Sequence, residues 1–280
     1  MMQFGRIKWA LRKAFLPVKA NTLVLDVGSG NSPYPRSDVL LDRLEGDAHR
    51  CGQALIIDRP LVFGDALHMP FKDKAFDFVV ASHILEHMKN PEQFLSELSR
   101  VAKAGYIETP NSIGEELVPM NIHCLEVMNL DSKLVIRKKA SAQDVSFLGD
   151  LKIHIRNPAW SKLFHRSPDL FHTRYFWQDQ IDYEILNPEV SCDWIDQIYT
   201  ESDMGESSEN YRSKGWRGWG IRLLAKLYGW RRNRKSIDIN AILACPQCHS
   251  DLNFQNSSCE CLACGAKYSL NPYPDFSNKV

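Results

Sequence analysis

The stretch Val24-Leu25-Asp26-Val27-Gly28-Ser29-Gly30 constrains this chain more than any other. Apolar residues flank an acid and run into two glycines, which is how a buried parallel strand ends and hands its backbone to a ligand. Gly28 and Gly30 carry no Cβ and can take positive φ, so a ligand can approach the main chain closely. Asp26, at the carboxyl end of the strand, can accept hydrogen bonds from a cationic or hydroxylated ligand, and ligands of open α/β sheets sit in that crevice. An ordinary tight turn shares the local pattern, so the residues that follow must decide.

They continue the strand pattern. Val39-Leu40-Leu41-Asp42 reads as a second strand and residues 61–66 as a third, each ending in or near an acid. Residues 76–81 and 105–110 read as the fourth and fifth. Asn31-Ser32-Pro33-Tyr34-Pro35, with its two prolines, leaves little room for a long helix after the first strand. A helix is expected from Asn90-Pro91, with Asn90 as cap, Pro91 in the first position, and Phe94, Leu95, Leu98 and Val101 on its apolar face. Residues 125–130 and 133–137 flank Asp131-Ser132 as a hairpin, and 171–177 with 181–185 suggest a second. The fold class is α/β, a Rossmann-like, mostly parallel sheet with an antiparallel edge.

Asp26, Asp42 and Asp65 stand at three successive strand ends, where a dinucleotide site would need only the glycines and the second acid. The blocks Leu25-Asp26-Val27-Gly28-Ser29-Gly30, Gly64-Asp65-Ala66-Leu67-His68-Met69-Pro70-Phe71, Phe76-Asp77-Phe78-Val79, His83-Ile84-Leu85-Glu86-His87 and Glu108-Thr109-Pro110-Asn111 follow in order. Over roughly residues 20–112 the chain resembles the class I S-adenosylmethionine-dependent methyltransferases of the type-11 group. The resemblance implies that Gly28 and Gly30 floor the methionine part of the cofactor, with Asp26 nearby. It implies that Asp42 binds the ribose hydroxyls, that Asp65 accepts from the adenine amino group beside the Ala66 backbone, and that Ser82 and His83 lie near the sulfonium. The chain departs from the family where a third glycine is expected after Gly30. Asn31 and Ser32 stand there, and the proline-rich segment replaces most of the first helix. The Gly-Asp-Ala block and the lack of a full GxGxxG count against a nicotinamide-dependent oxidoreductase.

Methyl transfer from a sulfonium asks the protein mainly to align the nucleophile. A hydroxyl or amine acceptor can also need a base, for which His83, His87 and Glu108 are the candidates, with His123 behind them. His83 and His87 have the spacing of metal ligands on a helix, but no third ligand is evident, and metal is not expected there.

Cys245-Pro246-Gln247-Cys248 and Cys261-Leu262-Ala263-Cys264-Gly265 are two CxxC knuckles, and together they complete a tetrahedral zinc site. A tail this small cannot bury a large core and needs its metal to fold. With no secretion signal read at the N-terminus, zinc is expected rather than disulfides. Cys259 is a possible substitute ligand, though Gly265 favours Cys261 with Cys264. Cys51, Cys124 and Cys192 have no partner pattern and are expected to be buried thiols. The tail is similar to the small zinc-ribbon protein that activates several tRNA, rRNA and protein methyltransferases, although the usual closing Gly-Ile-Pro is absent.

The expected organisation is an N-terminal amphipathic helix over 1–19, a methyltransferase domain over 20–190, an acidic-then-basic extension over 191–237, and the zinc ribbon over 238–280. Phe4, Ile7, Leu11 and Phe15 give the first segment its apolar face, suited to packing on the catalytic domain or, as a second option, to peripheral membrane contact. Lys+Arg and Asp+Glu both number 34, so no global charge favours nucleic acid. The one RNA-like patch is 212–235, basic and interleaved with Trp216, Trp219, Tyr228 and Trp230. No apolar run is long enough for a membrane span, and a cytoplasmic location is expected. The leading function is methylation of a small-molecule, lipid or glycan acceptor. The alternatives are methylation of RNA or of a translation-related protein, and a non-catalytic cofactor-binding module.

Overall fold

The structure, a computed structural model, describes residues 9, 12–19, 21–43, 54–117, 120–142, 167–202 and 237–277. Most of the N-terminal amphipathic face, Cys51 and the basic segment 212–235 lie outside the described residues. Strands β1 (Val24–Val27), β2 (Val39–Asp42), β3 (Leu61–Phe63), β4 (Phe78–Ser82), β5 (Ala104–Pro110) and β8 (His172–Gln178) form one sheet in the order β3-β2-β1-β4-β5-β8. The chain divides into two compact units: one comprises Val18–Val80, Glu92–Gly105 and Ser207–Val280, the other Met1–Pro17, Ala81–Pro91 and Tyr106–Glu206.

In the first unit β1 is buried along its whole length. It pairs in parallel with β2, Leu25 opposite Val39, and β2 pairs in parallel with β3, Leu40 opposite Leu61. The link from β1 to β2 contains no helix, as its prolines predict. Polar groups pin it instead. Asp26 accepts from the Tyr34 amide (2.6 Å), and Asp38 accepts from the Val24 amide (2.9 Å) and from Arg36 (3.0 Å). The buried Arg36 guanidinium also reaches the carbonyls of Lys19 and Thr22 at 2.9 and 2.8 Å. Helix α1 (Pro91–Val101) opens on Pro91 and buries Phe94, Leu95, Leu98 and Val101, the expected face. Its Arg100 holds the carbonyls of Met69 (2.8 Å) and Phe71 (2.6 Å), and Glu97 accepts from the Met69 amide (2.6 Å). The third strand is shorter than expected: β3 stops at Phe63, and the chain turns beyond it, with Asp65 accepting from the Leu67 amide.

The same unit contains the C-terminal tail, with the short helix α4 (Ile239–Ile242) and the antiparallel strands β10 (Leu252–Phe254), β11 (Ser258–Cys261) and β12 (Lys267–Ser269). The tail docks by main-chain hydrogen bonds. The Ala244 amide donates to Pro70 O (3.0 Å), and the Lys72 amide to Ile242 O (2.9 Å). At β3, the Phe63 amide donates to Pro274 O and the Phe276 amide to Phe63 O, both 2.8 Å. Tyr273 packs on the cluster of Leu40, Leu61 and Phe63. An exposed edge strand is a template for unwanted pairing; here residues 274–276 cover the β3 edge.

In the second unit β6 (Leu125–Leu130) and β7 (Lys133–Lys138) form the expected hairpin, its turn residues Asp131 and Ser132 at φ 49 and 65. Positive φ at both positions matches the twist of the strands. The second expected hairpin does not form. Residues after Asp179 (φ 64) leave β8, and β9 (Tyr183–Ile185) pairs in parallel with β7, Leu134 opposite Tyr183. β9 lies beside β7 in the order β6-β7-β9, although β8 also stands at the end of its own sheet. The hairpin β6–β7 therefore belongs to a three-stranded sheet of its own and not to the edge of the large one. Helix α2 (Ser112–Leu117) lies against the turn Pro168–Phe171, and a Cβ on Gly114 would meet Phe171 O at 2.7 Å. Helix α3 (Trp194–Ser202) is tied by Trp194 to Lys139 O at 2.8 Å. Among the described residues no helix is long and apolar enough to cross a membrane.

Candidate functional site

The strand order reverses beside β1, and in such sheets ligands bind past the carboxyl end of that strand. Gly28 and Gly30 take φ of 66 and 50 there. A Cβ on Gly30 would meet nothing within 4 Å, so the glycine is required by its backbone angle and the main chain stands clear above the turn. Asp42, at the end of β2, accepts from the Gly30 amide at 2.6 Å, and its other oxygen accepts from the Arg43 amide at 2.9 Å. The second acid thus both shapes the glycine turn and lies beside it. Asp65 accepts from the Leu67 amide (2.9 Å) through Oδ1, while Oδ2 has no hydrogen-bond partner among the described residues. Ala66 is buried next to it. The turn reading and the binding reading of Asp65 are thus compatible: one oxygen caps the turn and the other remains available. Asp26 is different. It is 4% exposed and holds the Tyr34 amide, so it organises the link after β1. Two carboxylates and a cleared glycine turn fit the ribose, adenine and methionine parts of a nucleoside sulfonium.

In the second unit, Ser82, His83, Glu86 and Glu108 come together. Glu108 is fully buried; both its oxygens are gripped by Arg12, at 2.5 and 2.6 Å, and it also accepts from Tyr106 (2.6 Å) and Ser82 (3.0 Å). Burial alone would raise this carboxyl, but the Arg12 hydrogen bonds, the charges of Lys13 and Arg12, and the Tyr106 hydroxyl hold it down at about 2. The same burial and the Glu108 charge push the Tyr106 phenol up. A carboxylate held so firmly is a poor proton acceptor.

His83 sits at φ 57, strained for a residue with a Cβ, and its amide donates to Glu108 O (2.7 Å). Its Nδ1 lies 3.2 Å from Glu86 Oε1, and the ring meets His172 edge-on at 5.4 Å. Glu86 is 1% exposed and also accepts from Thr109 Oγ1 (2.9 Å). Burial would raise Glu86, but the His83 bond and the neighbouring imidazoles bring it to about 2. Glu86 thus orients the ring through Nδ1, and Nε2 lies 3.6 Å from Glu108 Oε1, so carboxylates border both ring nitrogens.

His87 does not share a face with His83. Only Leu85–His87 is helical, a single 3-10 turn, and His83 lies outside it. His87 turns instead to Ile122 O (2.8 Å) and to the His123 ring at 4.7 Å. Burial, the first of several causes, lowers its pKa. Sequence reasoning gave no role to Glu86, although it stands in the His83–His87 block, nor to Tyr106, two residues from Glu108, and it missed Arg12 and His172, which come from distant segments. Beside them a groove of about 410 Å³ is lined by Asn111, Met128, Asn129, His172, Arg174 and Phe176, among others.

The four knuckle cysteines converge. Cys245 and Cys264 Sγ are 3.7 Å apart, Cys248 and Cys261 Sγ 3.4 Å, and all four lie within 4.8 Å of one another. Zinc–sulfur bonds of about 2.3 Å in a tetrahedron put thiolates about 3.8 Å apart, so the donor set fits that ion. The residues after each knuckle, His249 and Gly265, take matching φ of 56 and 71. Cys259 is not in the cluster; it is buried, and burial pushes its thiol up to about 11. Cys124 and Cys192 are buried, as expected.

Residues 25–107 match the family described as "Methyltransferase domain". Among curated proteins, the chain is 35% identical over 118 residues to demethylmenaquinone methyltransferase of Thermobifida fusca, covering 38% of this chain and 50% of that protein. It is 50% identical over 42 residues to ajmaline N-methyltransferase of Rauvolfia serpentina, covering 15% and 14%. It is 26% identical over 181 residues to 27-O-demethylrifamycin SV methyltransferase of Amycolatopsis mediterranei, covering 54% and 64%. The chain thus spans less than two thirds of each of these relatives. Among solved structures it is similar to a chain of the complex of the Haloferax volcanii Trm112 methyltransferase activator, with a TM-score of 0.39, 17% identity, and coverage of 63% of this chain and 90% of that one. The segment that matches the methyltransferase domain, residues 25–107, contains the glycine turn, the acid that ends β2 and the acid that follows β3.

Proposed function

We propose that the whole chain is an S-adenosylmethionine-dependent methyltransferase acting on a small-molecule, lipid or glycan acceptor. The observation that carries this is the Asp42 carboxylate seated on the glycine turn at 2.6 Å from the Gly30 amide. When bound, S-adenosylmethionine supplies a methyl group on a sulfonium, with a neutral thioether as leaving group. Asp42 accepts from the two ribose hydroxyls, and Asp65 Oδ2 from the adenine amino group beside Ala66. Gly28 and Gly30 leave the main chain bare for the methionine part, and Asp26 keeps the following link in place. Ser82 donates to Glu108 at 3.0 Å.

His83 takes the acceptor's proton at Nε2, with Glu86 fixing the ring through Nδ1. Glu108 positions Ser82 and Arg12, and His87 stays outside the proton path. The groove by His172 and Phe176 suits an acceptor with both apolar and hydrogen-bonding parts. The curated relatives are named for small organic acceptors, which supports that class. Cys245, Cys248, Cys261 and Cys264 hold a structural zinc ion, in a module over 238–280 that supports the domain over 20–190. A cytoplasmic location belongs to the same reading.

Calorimetry of the full chain with S-adenosylmethionine tests the core of it. Binding is expected, and Asp42→Ala should weaken it by about 10- to 100-fold, the loss of charged hydrogen bonds to two hydroxyls. Absence of binding by the intact chain would overturn the reading. With an acceptor in hand, His83→Gln should lower kcat while leaving cofactor affinity in place.

A further inference from the structure

A second cluster of metal-ligating side chains lies away from the cysteines. Glu86 and His87 belong to the 3-10 turn Leu85–His87, and His123 precedes β6. The Cys124 amide donates to Glu86 O at 2.8 Å, which draws His123 onto that turn. One potential ligand atom from each of Glu86, His87 and His123 lies within 4.8 Å of the others.

The orientation of the rings is informative. His87 Nδ1 is 2.8 Å from Ile122 O. A carbonyl only accepts, so Nδ1 carries the proton and the neutral ring presents its lone pair at Nε2. His123 Nδ1 makes a short contact with Glu115 Oε1, and Lys139 Nζ donates to the other Glu115 oxygen at 2.9 Å. That carboxylate likewise fixes the His123 lone pair at Nε2. A carbonyl or carboxylate on the second ring nitrogen is how metal-binding imidazoles are oriented. The rings stand at 86° to each other. Glu86 keeps lone pairs beyond those used by His83 and Thr109, since each carboxylate oxygen accepts twice. Glu86, Glu115 and Lys139 are all at most 2% exposed, so the buried charges of these three sum to one negative and admit a cation.

We propose that Glu86, His87 and His123 bind a divalent transition metal through one carboxylate oxygen and two Nε2 atoms, with coordination positions left for solvent or substrate. Two imidazoles and one carboxylate suit zinc or iron(II). Bonds of about 2 Å place such ligands about 3.3 Å apart, against ligand atoms that here lie within 4.8 Å of one another. The site shares no residue with the cysteine centre, and it shares Glu86 with the contact that orients His83.

The test counts metal on the full chain. After loading with zinc chloride and gel filtration, two zinc ions per chain are expected for the wild type and one for His123→Gln. Cobalt chloride separates the centres: the cysteine site gives thiolate-to-cobalt charge transfer, and the second site adds ligand-field bands without it. Equal metal counts and equal cobalt spectra in wild type and His123→Gln would overturn the proposal, and a protonated histidine pair would produce that result. Failure of the ribbon reading instead leaves one ion, lost in His123→Gln and without charge transfer. If His123→Gln does not fold, wild-type crystals soaked in zinc chloride decide. An anomalous peak bonded to Glu86, His87 and His123 supports the site, and peaks at the cysteines alone overturn it.

Discussion

Among the described residues two centres can gather metal-binding atoms, and they are built in opposite ways. The cysteine centre draws on two short knuckles, each a local turn, and has four thiols crowded at 3.4–3.7 Å in its close pairs. Main-chain bonds such as His249 N to Cys245 O (2.8 Å) and Gly265 N to Cys261 O (3.0 Å) shape each knuckle, and an ion would tie the two knuckles to each other. The centre at Glu86, His87 and His123 is assembled from separate segments, and each side chain already has a partner: Thr109 for Glu86, Ile122 for His87, Glu115 for His123. It is pre-organised by protein groups, so an ion would add to it without creating it. The difference teaches that metal removal should be a folding event at one centre and a local event at the other.

The largest expected effect tests the first half of that contrast. Cys261→Ser, or chelation, should release the tail that covers β3 and lower the melting temperature by on the order of 10 °C, read by scanning calorimetry. Amide exchange at Phe63 and Phe276, which bond across the β3 edge, should accelerate with it. An unchanged melting temperature would break the comparison.

Next in size are the ion pairs that pre-organise the second unit. Lys139→Ala leaves Glu115, 2% exposed, without its ammonium, and Arg12→Ala strips the bidentate partner from Glu108. Each should cost about 3–5 kcal/mol in urea unfolding, because an uncompensated charge stays buried. The Arg12 pair also carries a pH signature. Glu108 titrates at about 2 when folded against an ordinary 4.5. A depressed carboxyl contributes stability that is complete above the unfolded value and lost as pH falls through the folded one. The wild type should therefore lose this contribution between about pH 4.5 and 2. In Arg12→Ala the contribution shrinks, and what is left is lost at higher pH.

The smaller effects sharpen the contrast from the other side. His123→Gln, measured without metal, should cost only about 1–2 kcal/mol, one hydrogen bond to a carboxylate. A loss as large as that of Cys261→Ser would mean that the second centre also needs its ion to fold. Gly30→Ala should cost about 1–2 kcal/mol, the strain of a Cβ at φ 50. Its space is open, so an effect much beyond that would show a contact above the turn that the chain alone does not explain.

What could be read from residue order was whatever is local. The glycine turn after β1, the acids ending β2 and near the end of β3, the proline start of α1, the Asp131-Ser132 hairpin and the spacing of the knuckles are all decided within a few residues by φ preference, side-chain period and chain geometry. The partner of β9 could not be read, because Tyr183–Ile185 has the same local pattern whether it returns along β8 or joins β7. The histidines show the same limit. His83 and His87 look like neighbours at helical spacing, yet the helical turn begins only at Leu85, so one faces Glu86 and the other His123. Arg12, far from Glu108 along the chain, became its partner only because a buried carboxylate must find a cation wherever the fold supplies one. Short-range conformational energy therefore determined the elements and the likeness to methyltransferases. The burial of charge, which no local window contains, decided which side chains share a site.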